Sequence, residues 1–467
     1  METTLLNGKK IEKEKSWPQV LAILVGAISG FCVGLLFAWS SPFLIKITQD
    51  KTNYNITEDE ASYFNVIQPV SMILSCPIFS TLTDIIGRKR TLLLIIIPHI
   101  CSWLCSGFAK SVYVFYLSRV CAGFADGCIF ASLPTYVGEV ANPSVRGTWG
   151  NAVSFSLYFG EFMITVIGSY VSVREASYIG IPICLLFFSL FSFMPESPYF
   201  YIKKGQEDDA KKSLRFLKGK SDVDDDYISL KKDVERQLSE SASWIDIIKI
   251  RSNRRAILAG IFIRFTQQTA GLNVFYVYTQ FIFRQGGGNI SHEHASMLLL
   301  GVSLILNIIA LTFIVKRFGR RVCYLWSLIG TGILLYIMGT YYYLKDNSSL
   351  NLLSFRWMPI STMMVYQVFA SFGVATIPTL MLSELFSASV KSKAMAILTM
   401  TFGLGNFLNN FIFYELNSRI GFYAPFFFFA ICNTIAAVMC LFVVPETKDK
   451  TLEEIQQELK GKRIVKK

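Results

Sequence analysis

The chain of 467 residues is 52% hydrophobic and 14% aromatic, and only 17% of it is charged. Soluble domains carry about 25% charged residues, so the composition excludes an ordinary soluble protein and indicates a polytopic membrane protein. A formal charge of +12 does not imply nucleic acid as a partner, because the basic residues fall between long apolar runs, where cytoplasmic loops carry them.

Lys9, Lys10, Lys13 and Lys15 precede the first apolar run and place the N-terminus in the cytoplasm. That run, about 20–41, is too long for a signal-peptide core, so no cleavable signal is expected. Spans of bilayer-crossing length follow at about 61–82, 91–109, 112–137, 149–171 and 177–194. A charged segment, 195–253, then divides the chain. Opposite charges three and four residues apart, as in Asp208-Asp209-Ala210-Lys211-Lys212, predict short cytoplasmic helices there. Six more spans are expected at about 256–283, 293–315, 322–344, 357–383, 393–415 and 423–444. The predicted fold is an all-α membrane protein of twelve transmembrane helices. Its parts are a cytoplasmic N-terminus (1–19), a six-helix half (20–194), a helical linker (195–253), a second six-helix half (254–444) and a cytoplasmic tail (445–467).

The connections on one side are basic: Arg88, Lys89 and Arg90; Arg146; Lys316, Arg317, Arg320 and Arg321; Lys391 and Lys393. They set both termini inside. The sequons at Asn55, Asn289 and Asn347 all fall in loops that this topology puts outside, and are the expected glycosylation sites. Ten cysteines, among them Cys101, Cys105, Cys121 and Cys440, lie in or beside apolar runs and read as small hydrophobes. With three histidines, His99, His292 and His294, and no paired ligand spacing, neither a metal nor a cofactor is expected.

Three markers recur in the same order in both halves. Asp84-Ile85-Ile86-Gly87-Arg88-Lys89 after span two answers to Lys316-Arg317-Phe318-Gly319-Arg320-Arg321 after span eight. Glu139 at the end of span four precedes Arg146 by seven residues, as Glu384 at the end of span ten precedes Lys391. Pro195-Glu196-Ser197 closes span six and Pro445-Glu446-Thr447 closes span twelve. The halves are therefore read as homologous. Asp84, Arg88, Glu139, Arg146, Glu196, Arg320, Arg321, Glu384, Lys391 and Glu446 gather at one membrane face, where such charges either set topology or latch the halves together.

Span seven places Gln267, Gln268, Asn273 and Tyr278 within a little over three helical turns. Amides in hydrocarbon must face protein, cavity or substrate. Their paired donors and acceptors suit a polyol, and helix–helix glue is the alternative. Asp126 in span four and Glu161 in span five are intramembrane carboxylates, which are costly and usually functional. Glu161 could accept sugar hydroxyls or a proton, and Arg119, two turns from Asp126, is the expected partner of the latter.

These motifs carry a resemblance. GFADGCIFASLPTYVGEVANPSVR (Gly123 to Arg146), QQTAGLN in span seven and PETKDKTLEEI (Pro445 to Ile455) resemble the sugar porter family of the major facilitator superfamily over nearly the whole chain. AWSSP, at 38–42, is similar to its insect facilitated trehalose transporter branch. The resemblance implies sugar contacts at Gln267, Gln268, Asn273, Tyr278, Asn406 and Asn410, and an intracellular charge network at Arg88, Glu139, Arg146, Arg320, Arg321, Glu384 and Lys391. Thr379 stands where the family has a tryptophan, Phe407 replaces another, and Ala270 replaces a serine. Proton-driven members carry a carboxylate where this chain has Leu35. The expected function is thus a plasma-membrane facilitator of trehalose or a hexose, acting as a monomer by alternating access. A proton symporter using Glu161 and a non-transporting sugar sensor are the alternatives. No nucleophile–base pair or phosphate loop suggests an enzyme.

Overall fold

The computed structural model describes residues 4–6, 9–11, 14–239, 244–287, 290–310, 317–386, 388–448, 450 and 452–460. Apolar runs of bilayer length become helices because only there do all backbone polar groups bond within the segment. In the first half, span one runs Trp17–Phe37 and continues as Ser40–Gln49. Span two is Phe64–Ile86, span three Arg88–Leu94 with Ile96–Phe108, and span four Val112–Val140. Spans five and six are Ala152–Tyr170 and Val173–Ser192. The charged segment folds, as expected, into short helices: Pro198–Lys203, Glu207–Lys218, Asp224–Ser239 and Trp244–Lys249.

The second half repeats the pattern. Span seven comprises Arg251–Thr269, Leu272–Val277 and Thr279–Gly286, and span eight is His292–Ile309. Span nine is Arg320–Asn347, and span ten is Met358–Phe372 followed by Ile377–Leu385. Span eleven is Ala388–Arg419, span twelve Ala424–Val443, and Leu452–Lys460 is a final short helix. Among the described residues the one departure from helix is an antiparallel pair, Thr4–Leu6 with Lys9–Ile11.

Eleven described helices are long and apolar enough to cross a membrane. Span seven is the twelfth, and it escapes that criterion for a physical reason. It is broken into pieces of 19, 6 and 8 residues, and its first piece opens on Arg251, Arg254 and Arg255. Spans one and ten are interrupted as well, at Ala38–Trp39 and across 373–376.

Within the first half, spans one and five cross at Gly34 and Gly160. A Cβ on Gly34 would overlap the Leu157 carbonyl, and one on Gly160 the Phe31 carbonyl, so these two backbones meet only because neither residue has a side chain. The two halves meet on the face opposite the charged loops. There the Tyr414 hydroxyl donates to Asp59 Oδ1 at 2.5 Å, and Gln280 Nε2 donates to Ser169 Oγ at 3.2 Å. Nearer the middle, the Phe130 and Phe402 rings lie 5.9 Å apart.

The charged-loop face is built differently. Arg88, only 3% exposed, donates from Nε and Nη2 to the two oxygens of Glu139, each at 2.9 Å, and pairs with Asp84 at 3.3 Å. Glu196 accepts the backbone N–H of Arg88 and of Lys89 at 3.0 Å each. The second half copies this. Arg320 Nη2 donates to Glu384 Oε1 at 3.3 Å, and Glu446 accepts the N–H of Arg320 at 2.8 Å and of Arg321 at 3.2 Å. Ser197 donates to Glu139, and Thr447 donates to Glu384. Sequence symmetry has become geometric symmetry.

Each of these bonds stays within one half, and the further pair Asp84–Lys203, at 3.3 Å, reaches only into the linker. Among the described contacts, then, these carboxylates tie span to span within each half. Arg146 is exposed and donates to the Gly138 carbonyl at 3.2 Å. Asn289 and the Lys391 side chain lie outside the described residues. Asn55 and Asn347 are exposed on the opposite face.

Removing one partner of a buried ion pair costs about 3–5 kcal/mol. Glu139→Ala leaves the buried Arg88 with only the exposed Asp84 as a charged partner, so the purified variant is expected to melt below the parent, with part of the loss recovered in Arg88→Ala/Glu139→Ala. Equal melting of the single variant and the parent would contradict this.

Candidate substrate site

Span seven breaks at Gly271, whose φ of 89° is a left-handed conformation that suits a residue without Cβ. The break frees backbone groups in the membrane, and the structure supplies partners: the Tyr366 hydroxyl donates to the Ala270 carbonyl at 2.9 Å. Gln267 and Gln268 sit on the last turn before the break, Asn273 follows it, and Tyr278 marks the second interruption. All are buried except Asn273, which is half-buried.

Their amides are partly occupied. Arg264 Nη1 donates to Gln267 Oε1 at 2.9 Å, while Gln267 Nε2 reaches the Ala375 carbonyl of the interrupted span ten at 3.5 Å. Asn273 Nδ2 donates to Gln268 Oε1 at 2.6 Å, which leaves Gln268 Nε2 buried without a partner. On span eleven, Asn410 Nδ2 donates to Asn406 Oδ1 at 2.8 Å, and the oxygens of Asn409 and Asn410 are buried without partners. Gln268 packs against Gly405, beside Asn406, so spans seven and eleven present their amides together.

The first half faces them. Asn65, Gln68 and Asp126 line a cavity of about 10 Å³ with Val277, Asn406 and Asn410. That is room for about one water molecule. A sugar ring fits there only when the halves move apart. Tyr278 turns its ring onto Phe413, 4.6 Å away, with its hydroxyl beside Asn65.

One acid is partnered differently from the sequence reading. Arg119 does not pair directly with Asp126; Gln68 stands between them. Gln68 Nε2 donates to Asp126 Oδ2 at 2.8 Å, and Arg119 Nη1 approaches Gln68 Oε1 at 3.5 Å. Arg119 is held instead over the Trp39 ring, 4.1 Å from its centroid, and by the Leu36 carbonyl at 3.2 Å. Glu161 is 2% exposed, its carboxylate takes no hydrogen bond from any described residue, and Tyr158 and Tyr276 are its electrostatic neighbours. Thr379 is exposed and lies off the cavity.

Sequence reasoning passed over Asn65, Gln68, Arg264, Asn409 and Gln367. The last donates to Tyr276, Ser303 and Ser371 at 2.8, 2.8 and 3.0 Å, knitting spans seven, eight and ten. The signal was available: each is an amide or charge inside an apolar run, the same criterion that singled out Gln267 and Gln268.

Similarity to known proteins agrees with this architecture. The chain is 31% identical over 451 residues to the facilitated trehalose transporter Tret1 of Polypedilum vanderplanki, covering 96% of this chain and 89% of that one. It is 30% identical to Tret1 of Aedes aegypti, again over 96% of this chain, but spans only 56% of that longer protein. Among solved structures, the proton:xylose symporter XylE bound to 6-bromo-6-deoxy-D-glucose superposes with a TM-score of 0.72 at 19% identity, over 95% of this chain and all 100% of that one. A partially occluded inward open conformation of XylE from E. coli gives a TM-score of 0.76 at 19% identity, over 93% and 100% of the two chains. At that identity these two establish the major facilitator fold alone. Residues 19–459 match the family described as Sugar (and other) transporter, and the chain belongs to it.

Proposed function

We propose that this chain is a facilitative transporter carrying trehalose or a hexose across the plasma membrane by alternating access. It acts as a monomer with both termini in the cytoplasm. The observation that carries the reading is the set of buried amides with open atoms on spans seven and eleven, of which Asn410 lines the cavity between the two matched halves. A buried donor or acceptor left unpaired costs about 1–3 kcal/mol. Gln268 Nε2, Asn409 Oδ1 and Asn410 Oδ1 are in that position, and the hydroxyls of a sugar can satisfy all three. The sugar then stabilises the arrangement in which both halves close on it, and a substrate shifts such an equilibrium only by its differential affinity for the two states. No bond is made or broken; the two rigid halves rock about the site. The names of the insect relatives support trehalose as the first sugar to try.

Span one carries no carboxylate, which supports a facilitator over a proton-driven carrier. Glu161 is the buried acid read for that role, and its substitution tests it. In proteoliposomes, labelled trehalose or glucose is expected to enter saturably, to be displaced by excess unlabelled sugar, and to be indifferent to a pH gradient in both the parent and Glu161→Gln. Gradient-driven uptake abolished by Glu161→Gln would replace the facilitator with a symporter, and no uptake of either sugar would overturn the reading.

Gln267→Ala, reconstituted in equal amount, is expected to raise KM about tenfold, the worth of about one to two neutral hydrogen bonds. Unchanged kinetics would remove span seven from the site.

A further inference from the structure

Arg264 places a fixed positive charge inside span seven, one turn before Gln267. Its guanidinium lies over the Phe402 ring of span eleven, 5.5 Å from the centroid, and donates through Nη1 to Gln267 Oε1 at 2.9 Å. Tyr158 and Tyr324 are its electrostatic neighbours; no carboxylate is among them.

A guanidinium has five N–H donors, no acceptor, and does not lose its proton in proteins. Two facing amides are satisfied in either orientation, as Gln268 and Asn273 would be if both turned round. Opposite Arg264, Gln267 has one choice: its oxygen faces the guanidinium and its Nε2 faces away. What Nε2 meets is the Ala375 carbonyl at 3.5 Å, the limit of a hydrogen bond. The nitrogen is committed in direction but barely engaged.

We propose that Arg264 is a positioning and specificity-determining residue: by holding the Gln267 oxygen it makes Gln267 offer only hydrogen-bond donors to the sugar. The sugar atom that Gln267 contacts must therefore accept. The inference rests on the reading of Gln267 as a sugar contact, and adds which way that contact runs. Phe402 fixes the plane of the guanidinium, so the polarity of the amide is built in before the sugar arrives and is not chosen by it.

Deoxy and fluoro analogues distinguish an acceptor from a donor. Fluorine in place of a hydroxyl keeps a weak acceptor and loses the donor, whereas hydrogen keeps neither. Mono-deoxy and mono-fluoro analogues of whichever of trehalose or glucose is carried would be used as competitors of its uptake in proteoliposomes. At one position the fluoro analogue is expected to compete better than the deoxy analogue by about 3- to 10-fold, the value of a weak to ordinary hydrogen bond. Arg264→Lys, still an obligate donor, retains that ratio. Arg264→Met frees the amide to turn and brings the ratio to about 1. Gln267→Glu keeps Arg264 paired, presents no donor, and collapses the ratio without stranding the charge, so it remains informative where Arg264→Met fails to fold. A ratio unchanged in Gln267→Glu overturns the inference, as does a ratio lost equally in Arg264→Lys and Arg264→Met. Gln267→Ala separates the two failures: its unaltered uptake condemns the sugar-contact reading, whereas a defect there with an unchanged ratio in Gln267→Glu condemns only the polarity.

Discussion

Inside a bilayer a polar group finds no water, so protein or substrate must satisfy it, and the middle of this molecule is arranged around that constraint. Breaking span seven at Gly271 brings backbone and amide groups to the membrane centre, and several of them are answered in turn. Tyr366 serves the Ala270 carbonyl, Arg264 the Gln267 oxygen, and Asn273 the Gln268 oxygen. Among the buried polar atoms left without a partner are Gln268 Nε2 on span seven, the Asn409 and Asn410 oxygens on span eleven, and Asp126 Oδ1 on span four. A polyhydroxyl solute is the ligand chemistry that such a mixture of open donors and acceptors accommodates.

A site shared between two bodies is useful for transport only if each body moves as a unit. The charged-loop face supplies that unity. In each half an arginine after the second span of the repeat bonds a glutamate at the end of the fourth, and a glutamate closing the sixth accepts two backbone N–H groups beside that arginine. Tethered this way, three spans of a half are fixed to one another at their ends, while the halves touch through Tyr414 with Asp59 and Gln280 with Ser169 at the other face and through Phe130 with Phe402 nearer the middle. Motion is left to the plane where the amides lie.

Much of this was legible in the sequence, because hydrophobic length, loop charge and repeated markers report directly on membrane physics. The span positions, the linker helices and the matched halves all follow from them, whereas the break of span seven at Gly271 does not, because the apolar run continues through it. Partnership was harder. A lone Arg264 does not shorten an apolar run, so a reading based on length passes over it, and the second interruption at Tyr278 leaves no glycine to announce it. That Gln68 stands between Arg119 and Asp126 depends on how spans two and four cross, which spacing along one helix does not encode. Nor does sign alone say whether Glu139 and Glu384 reach across the halves or along them.

Sugar counterflow tests the central claim most directly. Proteoliposomes loaded with unlabelled sugar and diluted into a trace of the labelled form should show label rising transiently above its equilibrium level, because a single site that faces each side in turn returns occupied from the loaded side. Label that climbs monotonically to equilibrium, or does not enter, would contradict an alternating site held between the two halves.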